Sequence, residues 1–296
     1  MLTSDRNVHG EKHLQRQDQA NGVKPRRLAE GHPDLGPGHL EAYLNIIKTL
    51  PDDSGRLERL LTYLDRIADL EAPKDVVVVG CGPRPQAVKV LRELNHRVLG
   101  VEPVITFVAA AQEYVGQPEL VLKGWAEALP LETSSQDLVI CDSVLEHVDS
   151  PRKAIAEMYR VLRPGGIAYV STTNRWRFSL TGDNGEYHVR FLNWLPRLVR
   201  ESYVFQHLHH NPALANYSLR PAVHWFTFPE LCALGRDSGF AQFYSLLDVL
   251  VREDPSVRNK WWRRVILRPV QRNAWLRALA LTQVGYAIAM LKRPQS

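Results

Sequence analysis

Long apolar runs are missing from this chain of 296 residues. A helix needs about 20 consecutive apolar residues to cross a bilayer, and even the stretch from Ala278 to Met290 is interrupted by Gln283 and follows Arg277. The first 30 residues are polar and hold no apolar segment of the kind a secretory leader needs. Cysteine is scarce, and Cys81, Cys141 and Cys232 form no C-x-x-C pair. That argues against a disulfide framework and against a zinc site, and it suits a reducing compartment. A cytoplasmic protein with no metal is expected. Positive charge is not spread evenly either. The formal net charge is +5, yet residues 252–293 hold ten Lys and Arg against Glu253 and Asp254, a local +8 that leaves −3 for the rest. A nucleic-acid surface would extend over the core, so no nucleic acid is expected as a partner.

What the chain does contain is organised around Val76 to Pro85, VVVVGCGPRP. Four β-branched residues in a row read as a strand buried on both faces, and a glycine turn follows at once. Gly80 and Gly82 can take positive φ and carry no Cβ, so backbone N–H groups on either side of Cys81 can approach a ligand closely. Glu102 stands twenty-two residues beyond Gly80, with Pro103 after it, at the end of a second apolar run, RVLGVEP. A carboxylate at roughly that distance, on the tip of the next parallel strand, is where a doubly wound fold holds a ribose. The pair proposes a nucleoside-containing cofactor. A dinucleotide fingerprint wants a third glycine where this chain has Pro85, which weakens NAD.

Downstream, strands are expected at Arg97–Glu102, Glu119–Leu122, Asp137–Cys141 and Ile167–Thr172, alternating with helices over Pro85–Leu94, Ile105–Tyr114 and Pro151–Leu162. This is the order of an α/β doubly wound, mostly parallel sheet, whose ligands bind at the carboxyl edge, where Cys141 and Asp142 fall. Thr227–Ser238 reads as a helix capped by Thr227, Gly239–Val251 as a sixth strand and Tyr286–Leu291 as the last.

From Lys74 to Thr173 the motifs follow in a specific order: the glycine turn, Glu102, AEALP from Ala126, DLVICDSVLEH from Asp137 to His147, and LRPGG from Leu162. This order resembles the class I S-adenosylmethionine-dependent methyltransferases, in the branch that includes quinone and small-molecule methyltransferases. The resemblance implies a seven-stranded Rossmann-like sheet and S-adenosyl-L-methionine as cofactor. It places Gly80, Cys81, Gly82, Glu102, Pro103, Trp125, Ala126, Glu127, Cys141 and Asp142 around that cofactor. The chain departs from the family at Val78 and Arg84, where an acid and a third glycine are usual. It departs again at Trp125, where an Asp often bonds the adenine amino group and an indole would stack instead. The D/N-P-P-Y/F motif of amino-directed DNA methyltransferases is absent.

Residues 1–38, rich in His, Gln, Asp, Gly and Pro, read as a disordered tail. Residues 39–71 carry two amphipathic helical patterns separated by the break at 51–55, and the resemblance makes them a lid. Residues 72–296 are then the methyltransferase domain, with insertions at 174–228 and 252–282. The first insertion holds eleven of the 25 aromatic residues. By the resemblance it builds the acceptor pocket; a small core of its own is the other reading. The second contains Trp261 to Thr282, basic and Trp-flanked, with Pro269 expected to break it into two short pieces. Such a segment suits a membrane interface or packs on the domain.

Methyl transfer needs a base only where the nucleophile holds a proton. His147 and His188 are the candidates, each with a structural reading beside it. Glu146 is expected near a helix start, where negative charge is favoured. The adjacent His209 and His210 cannot easily face one centre with His207, so no metal is assigned. The expected activity is transfer of a methyl group to a small or lipid-like organic acceptor, on oxygen, by in-line displacement. Two alternatives stand beside it: a cofactor-binding protein without activity, motivated by Val78 and Arg84, and an NAD-dependent oxidoreductase.

Overall fold

The run of valines forms the central strand because it is covered on both sides. β1, Asp75–Val79, sends Val77 and Val79 into one apolar cluster and Val76 and Val78 into another, the alternation that a pleated strand imposes. A computed structural model describes residues 44–45, 54–68, 72–175, 187, 189–208, 222–282 and 286–293 of the protein, all within the unit spanning 34–296. The tail expected at 1–38 and most of the first helical pattern lie outside the described residues.

After β1 come α2, Gln86–Glu93; β2, Arg97–Glu102; α3, Ile105–Val115; and a short β3, Val121–Lys123. β4, Gln136–Asp142, leads to α4, Pro151–Val161, and β5, Leu162–Thr172. The seven strands run in the order β3-β2-β1-β4-β5-β7-β6. β1 to β5 pair in parallel with one another, whereas β7, Tyr286–Lys292, lies antiparallel between β5 and β6. This is the Rossmann-like arrangement expected.

Helix α1, Ser54–Ala68, lays Leu60, Tyr63 and Leu64 on the sheet face formed by Val76, Val78 and Tyr169. Full burial of such side chains contributes on the order of 1.5–3 kcal/mol each. Tyr63 donates its hydroxyl to the Tyr244 carbonyl at 2.8 Å, and Arg66 grips Asp254 with two nitrogens at 2.6 and 2.8 Å. The opposite face is covered by α4 and by α6, Phe228–Ser238. As expected, Thr227 caps α6: it accepts from the Glu230 amide while Glu230 returns to the Thr227 amide, a reciprocal capping box.

Two expectations are corrected. The sixth strand, read over Gly239–Val251, is β6 over Phe240–Ser245 only, because Ser245 and Asp248 form a second capping box and start the short helix α7, Leu246–Val249. After α8, Pro255–Arg258, the proline expected to break the basic segment lies inside α9, Trp261–Arg272. An interior proline costs about 3 kcal/mol, and the burial of Leu267 and Val270 on either side of it supports the helix through that position. The break falls at Asn273, whose side chain accepts from the Leu276 amide and caps α10, Ala274–Leu281.

Candidate active site

The carboxyl ends of β1, β2, β3 and β4 frame a cleft, and the glycine turn forms its floor. Gly80 and Gly82 both take positive φ, +63° and +67°. A Cβ on Gly80 would sit 2.3 Å from Val144 Cγ2, so the turn and the β4 loop can meet only with glycine there. The amides, however, do not face a ligand. Those of Gly80 and Cys81 donate to the Val101 carbonyl at 2.8 and 3.2 Å, and that of Gly82 donates to Glu102 Oε2 at 3.1 Å. The turn therefore offers a close, side-chain-free surface and not a set of donors, a correction to the expected role of its N–H groups.

Glu102 is held from two sides, since its Oε1 accepts from the Val104 amide at 3.1 Å while Oε2 holds Gly82. Burial raises its pKa and the two amides oppose that rise. Each carboxylate oxygen has a second lone pair, so the group can accept two further hydroxyls without losing its anchors.

Trp125, Ala126 and Glu127 form the next wall, after β3, and Pro103 adjoins Glu102. The Glu127 carboxylate accepts the Asp149 amide at 2.7 Å and the Ser150 amide at 3.4 Å, which ties this wall to the start of α4. Facing them, Ser143, Val144, His147 and Val148 come from the loop after β4. Phe107 and Val104 complete an apolar flank that the sequence reading missed, since nothing in their spacing separates them from core residues.

The structure thus brings together Gly80, Gly82, Glu102, Pro103, Trp125, Ala126, Glu127 and His147. Of the other expected cofactor contacts, Cys141 and Cys81 turn away from the cleft and Asp142 lies beside it. Cys141 is fully buried in the core beside Val79 and Val170, its thiol pushed well up by burial. Cys81 turns its side chain under the sheet towards Gly100, and burial raises that thiol too. Asp142 opens on a neighbouring hollow across the glycine turn, with Leu57 and Leu60 of α1, Val78 and Arg84. None of the described α1 residues lines the main cleft.

Glu146 is not at a helix start. It is 1% exposed and accepts the hydroxyls of Thr172 at 2.9 Å and Thr173 at 3.3 Å. Burial outweighs those bonds and raises its pKa to about 7. His188, His209 and His210 lie outside the described residues, and among the described residues no His, Cys, Asp and Glu cluster could hold a metal. In the aromatic insertion, Tyr187 and Trp225 are buried with Leu192, Val204 and Leu208 in a small core of their own, while Phe191 and Trp194 are exposed. None of its aromatics whose side chains are described lines the cleft, and those of Trp176, Phe178, Phe205 and Tyr217 lie outside that set.

The fold is a doubly wound α/β sheet, and the cleft lies at the carboxyl edge where such sheets bind ligands. Residues 77–170 match the family described as a methyltransferase domain. Over 149 residues the chain is 34% identical to a probable S-adenosylmethionine-dependent methyltransferase of Mycolicibacterium smegmatis, covering 50% of this chain and 57% of that protein. Over 174 residues it is 28% identical to a ubiquinone biosynthesis O-methyltransferase of Citrobacter koseri, covering 51% of this chain and 71% of that protein. Phosphoethanolamine N-methyltransferase 2 of Haemonchus contortus, solved with S-adenosyl-L-methionine, shares the fold at a TM-score of 0.53 and 16% identity, over 92% of this chain and 60% of that one. The chain spans little more than half the length of the mycobacterial relative. Residues 77–170 thus carry a methyltransferase domain, and S-adenosyl-L-methionine, the cofactor named for the mycobacterial relative, is the group to test against the cleft.

The residues present fit that cofactor: a buried, pre-anchored carboxylate stands beside a turn free of side chains, with an indole and a phenyl ring on the walls. Replacing Glu102 by Ala is expected to weaken S-adenosylmethionine binding by roughly 1.5–3 kcal/mol, about ten- to a hundredfold. Calorimetric affinities that match between the two proteins would remove Glu102 from the ribose.

Proposed function

We propose that the protein transfers a methyl group from S-adenosylmethionine to a small organic acceptor, on oxygen, by in-line displacement. Once bound, the cofactor supplies a sulfonium methyl that needs no further activation. The chain's task is to hold donor and acceptor in contact and to exclude water. Glu102 receives the ribose hydroxyls, Trp125 with Ala126 borders the adenine, and Asp142, across the turn, receives the amino-acid end. His147 takes the proton from an acceptor hydroxyl. The observation that carries this reading is the convergence of Glu102, Trp125 and His147 on one cleft, from the ends of β2, β3 and β4.

A lipid-like acceptor reached at a membrane surface is supported by a second observation. On α9 and α10, Trp261 is 76% exposed, Trp275 86%, and Val265 and Leu279 about as open as each other at 61% and 62%. Arg263, Arg264, Arg268 and Arg272 are interleaved with them on α9. Apolar side chains of this size, set among cations, suit the boundary of an anionic bilayer. No described helix is long and apolar enough to cross a membrane.

The test is a methyl-transfer screen over phenols, quinol precursors, lipid-linked sugars and RNA, run with and without anionic vesicles. Turnover is expected on hydroxyl-bearing small molecules, and faster on lipid-linked ones when vesicles are present. Turnover on RNA alone would overturn the acceptor class, and indifference to vesicles would remove the membrane from the reading.

A further inference from the structure

A second hollow lies between α6 and α5, Arg197–Tyr203, and shares no lining residue with the cofactor cleft. Four guanidinium groups meet there, those of Arg152, Arg175, Arg197 and Arg200, with His224 and Glu230 beside them. Three of the four are answered by acids: Arg152 by Asp237 at 2.8 Å, Arg175 by Glu230 at 2.7 Å and Arg197 by Glu201 at 2.6 Å.

Among the described residues, no acid answers Arg200. It is 2% exposed, its guanidinium carbon lies 4.2 Å from the Trp225 ring centre, and its Nε has no hydrogen-bond partner. No carboxylate among the described residues pairs with it. Burial, with Arg175 nearby, lowers its pKa to about 10, which leaves it charged at neutral pH. A buried, unpaired cation is costly, and proteins rarely keep one that nothing completes.

The shelf beneath it is fixed. Trp225 donates its indole N–H to the Ala222 carbonyl at 3.0 Å, and its own carbonyl accepts from Arg175 Nε at 3.1 Å. Burial and the nearby Arg197 push the pKa of His224 down to about 4, so this ring stays neutral and adds no further charge. The hollow also backs onto the reaction centre. The amides of Val223 and His224 both donate to the Glu146 carbonyl, at 3.1 and 3.2 Å, and the next residue, His147, stands on the wall of the cofactor cleft.

We propose that this hollow seats an anionic group of the methyl acceptor, a carboxylate or a phosphate monoester, on Arg200, with Arg175 and Arg152 at its rim. The proposal rests on the methyl-transfer reading for the word acceptor, and on the hollow alone for the anion. A planar guanidinium held on an indole presents its N–H groups edge-on, the geometry that two oxygens of one anion match. A polyanion would ask for an extended basic surface instead. Here one buried charge sits at an open hollow lined by few cations, which suits a single head group. The acceptor is then amphiphilic, with the hydroxyl at His147 and the anion behind the turn at 146–148.

The experiment titrates the full chain, wild type and Arg200→Met, with phenyl phosphate, benzoate, phenol and inorganic phosphate, and separately with S-adenosylmethionine. The wild type is expected to prefer the two aryl anions over phenol by about tenfold or more, and Arg200→Met to lose about ten- to a hundredfold on the anions alone. Arg200→Met is also expected to unfold at the same or a higher temperature, since the methionine fills the space without a cation to desolvate. Should that variant fail to fold, Arg152→Gln, at an exposed pair, is expected to weaken phenyl phosphate binding about threefold or more. An anion preference that survives these substitutions would overturn the assignment. So would inorganic phosphate binding as tightly as phenyl phosphate, which would make the hollow a free-ion site. Failure of the wild type to bind S-adenosylmethionine would sink the methyl-transfer reading while leaving the anion preference standing.

Discussion

Replacing His147 by Ala is expected to lower kcat on a hydroxyl acceptor by about a hundredfold or more, within the range that general acid–base groups contribute. Affinity for S-adenosylmethionine should change far less, because the amides that hold Glu102 come from Gly82 and Val104 and not from the imidazole. His147 is positioned by its backbone, whose amide donates to the Val144 carbonyl at 2.9 Å. The loop that carries it is fixed from both ends, by Val144 against Gly80 and by the Glu146 carbonyl under Val223 and His224. Alanine therefore removes the ring and leaves the turn. Single-turnover kinetics on the variant, and on its combination with His188→Ala, separate the cases. Full activity in both would leave positioning of donor and acceptor as the whole mechanism.

Glu146→Gln is expected to stabilise the protein by about 3 kcal/mol at pH 8 and to change little below pH 4.5. Burial raises the native pKa of this carboxyl from 4.5 to about 7. Between those values the folded protein keeps a proton that the unfolded chain has released, so stability falls as pH rises through that window and stays low above it. Glutamine keeps the shape and one acceptor for the Thr172 and Thr173 hydroxyls, but it has no charge to bury. Denaturant titrations of the two proteins across pH 4 to 8 should diverge as pH rises. Parallel curves would show that Glu146 is ionised in the folded state.

Both residues sit in the segment DLVICDSVLEH, and the contrast between them shows what the sequence could reveal. Position along the chain was enough to bring His147 to the sheet's carboxyl edge, because a loop after a parallel strand must emerge there. It could not tell which side chains of that stretch face the cleft. A strand buried on both faces shows no polar alternation, so Cys141 looked as suitable as Asp142 and proved to be core. β1, the glycine turn and Glu102 were legible because close backbone approach demands the glycines and because a carboxylate at that spacing falls on the tip of the next parallel strand. The cap of α6 was legible from Thr227, while the return bond from Glu230 was found only in the structure. By contrast, Arg152, Arg175, Arg197 and Arg200 come from three separate parts of the chain, and only the tertiary fold gathers them. The run after Gly239 misled because its apolar content continues past the strand, while Ser245 and Asp248 decide where it ends.

The placement of β7 also sets an order of events as the chain is synthesised. β1 to β5 are complete in their mutual pairing once residue 172 has been made. β6, made some seventy residues later, has no edge to join, because its only partner in the sheet is β7. Until residues 286–292 leave the ribosome, β5 is an open edge and Phe240 to Ser245 is an unpaired strand beside it. The basic helices α9 and α10 fill the interval between the two, so the most exposed of the described tryptophans are made before the sheet can close.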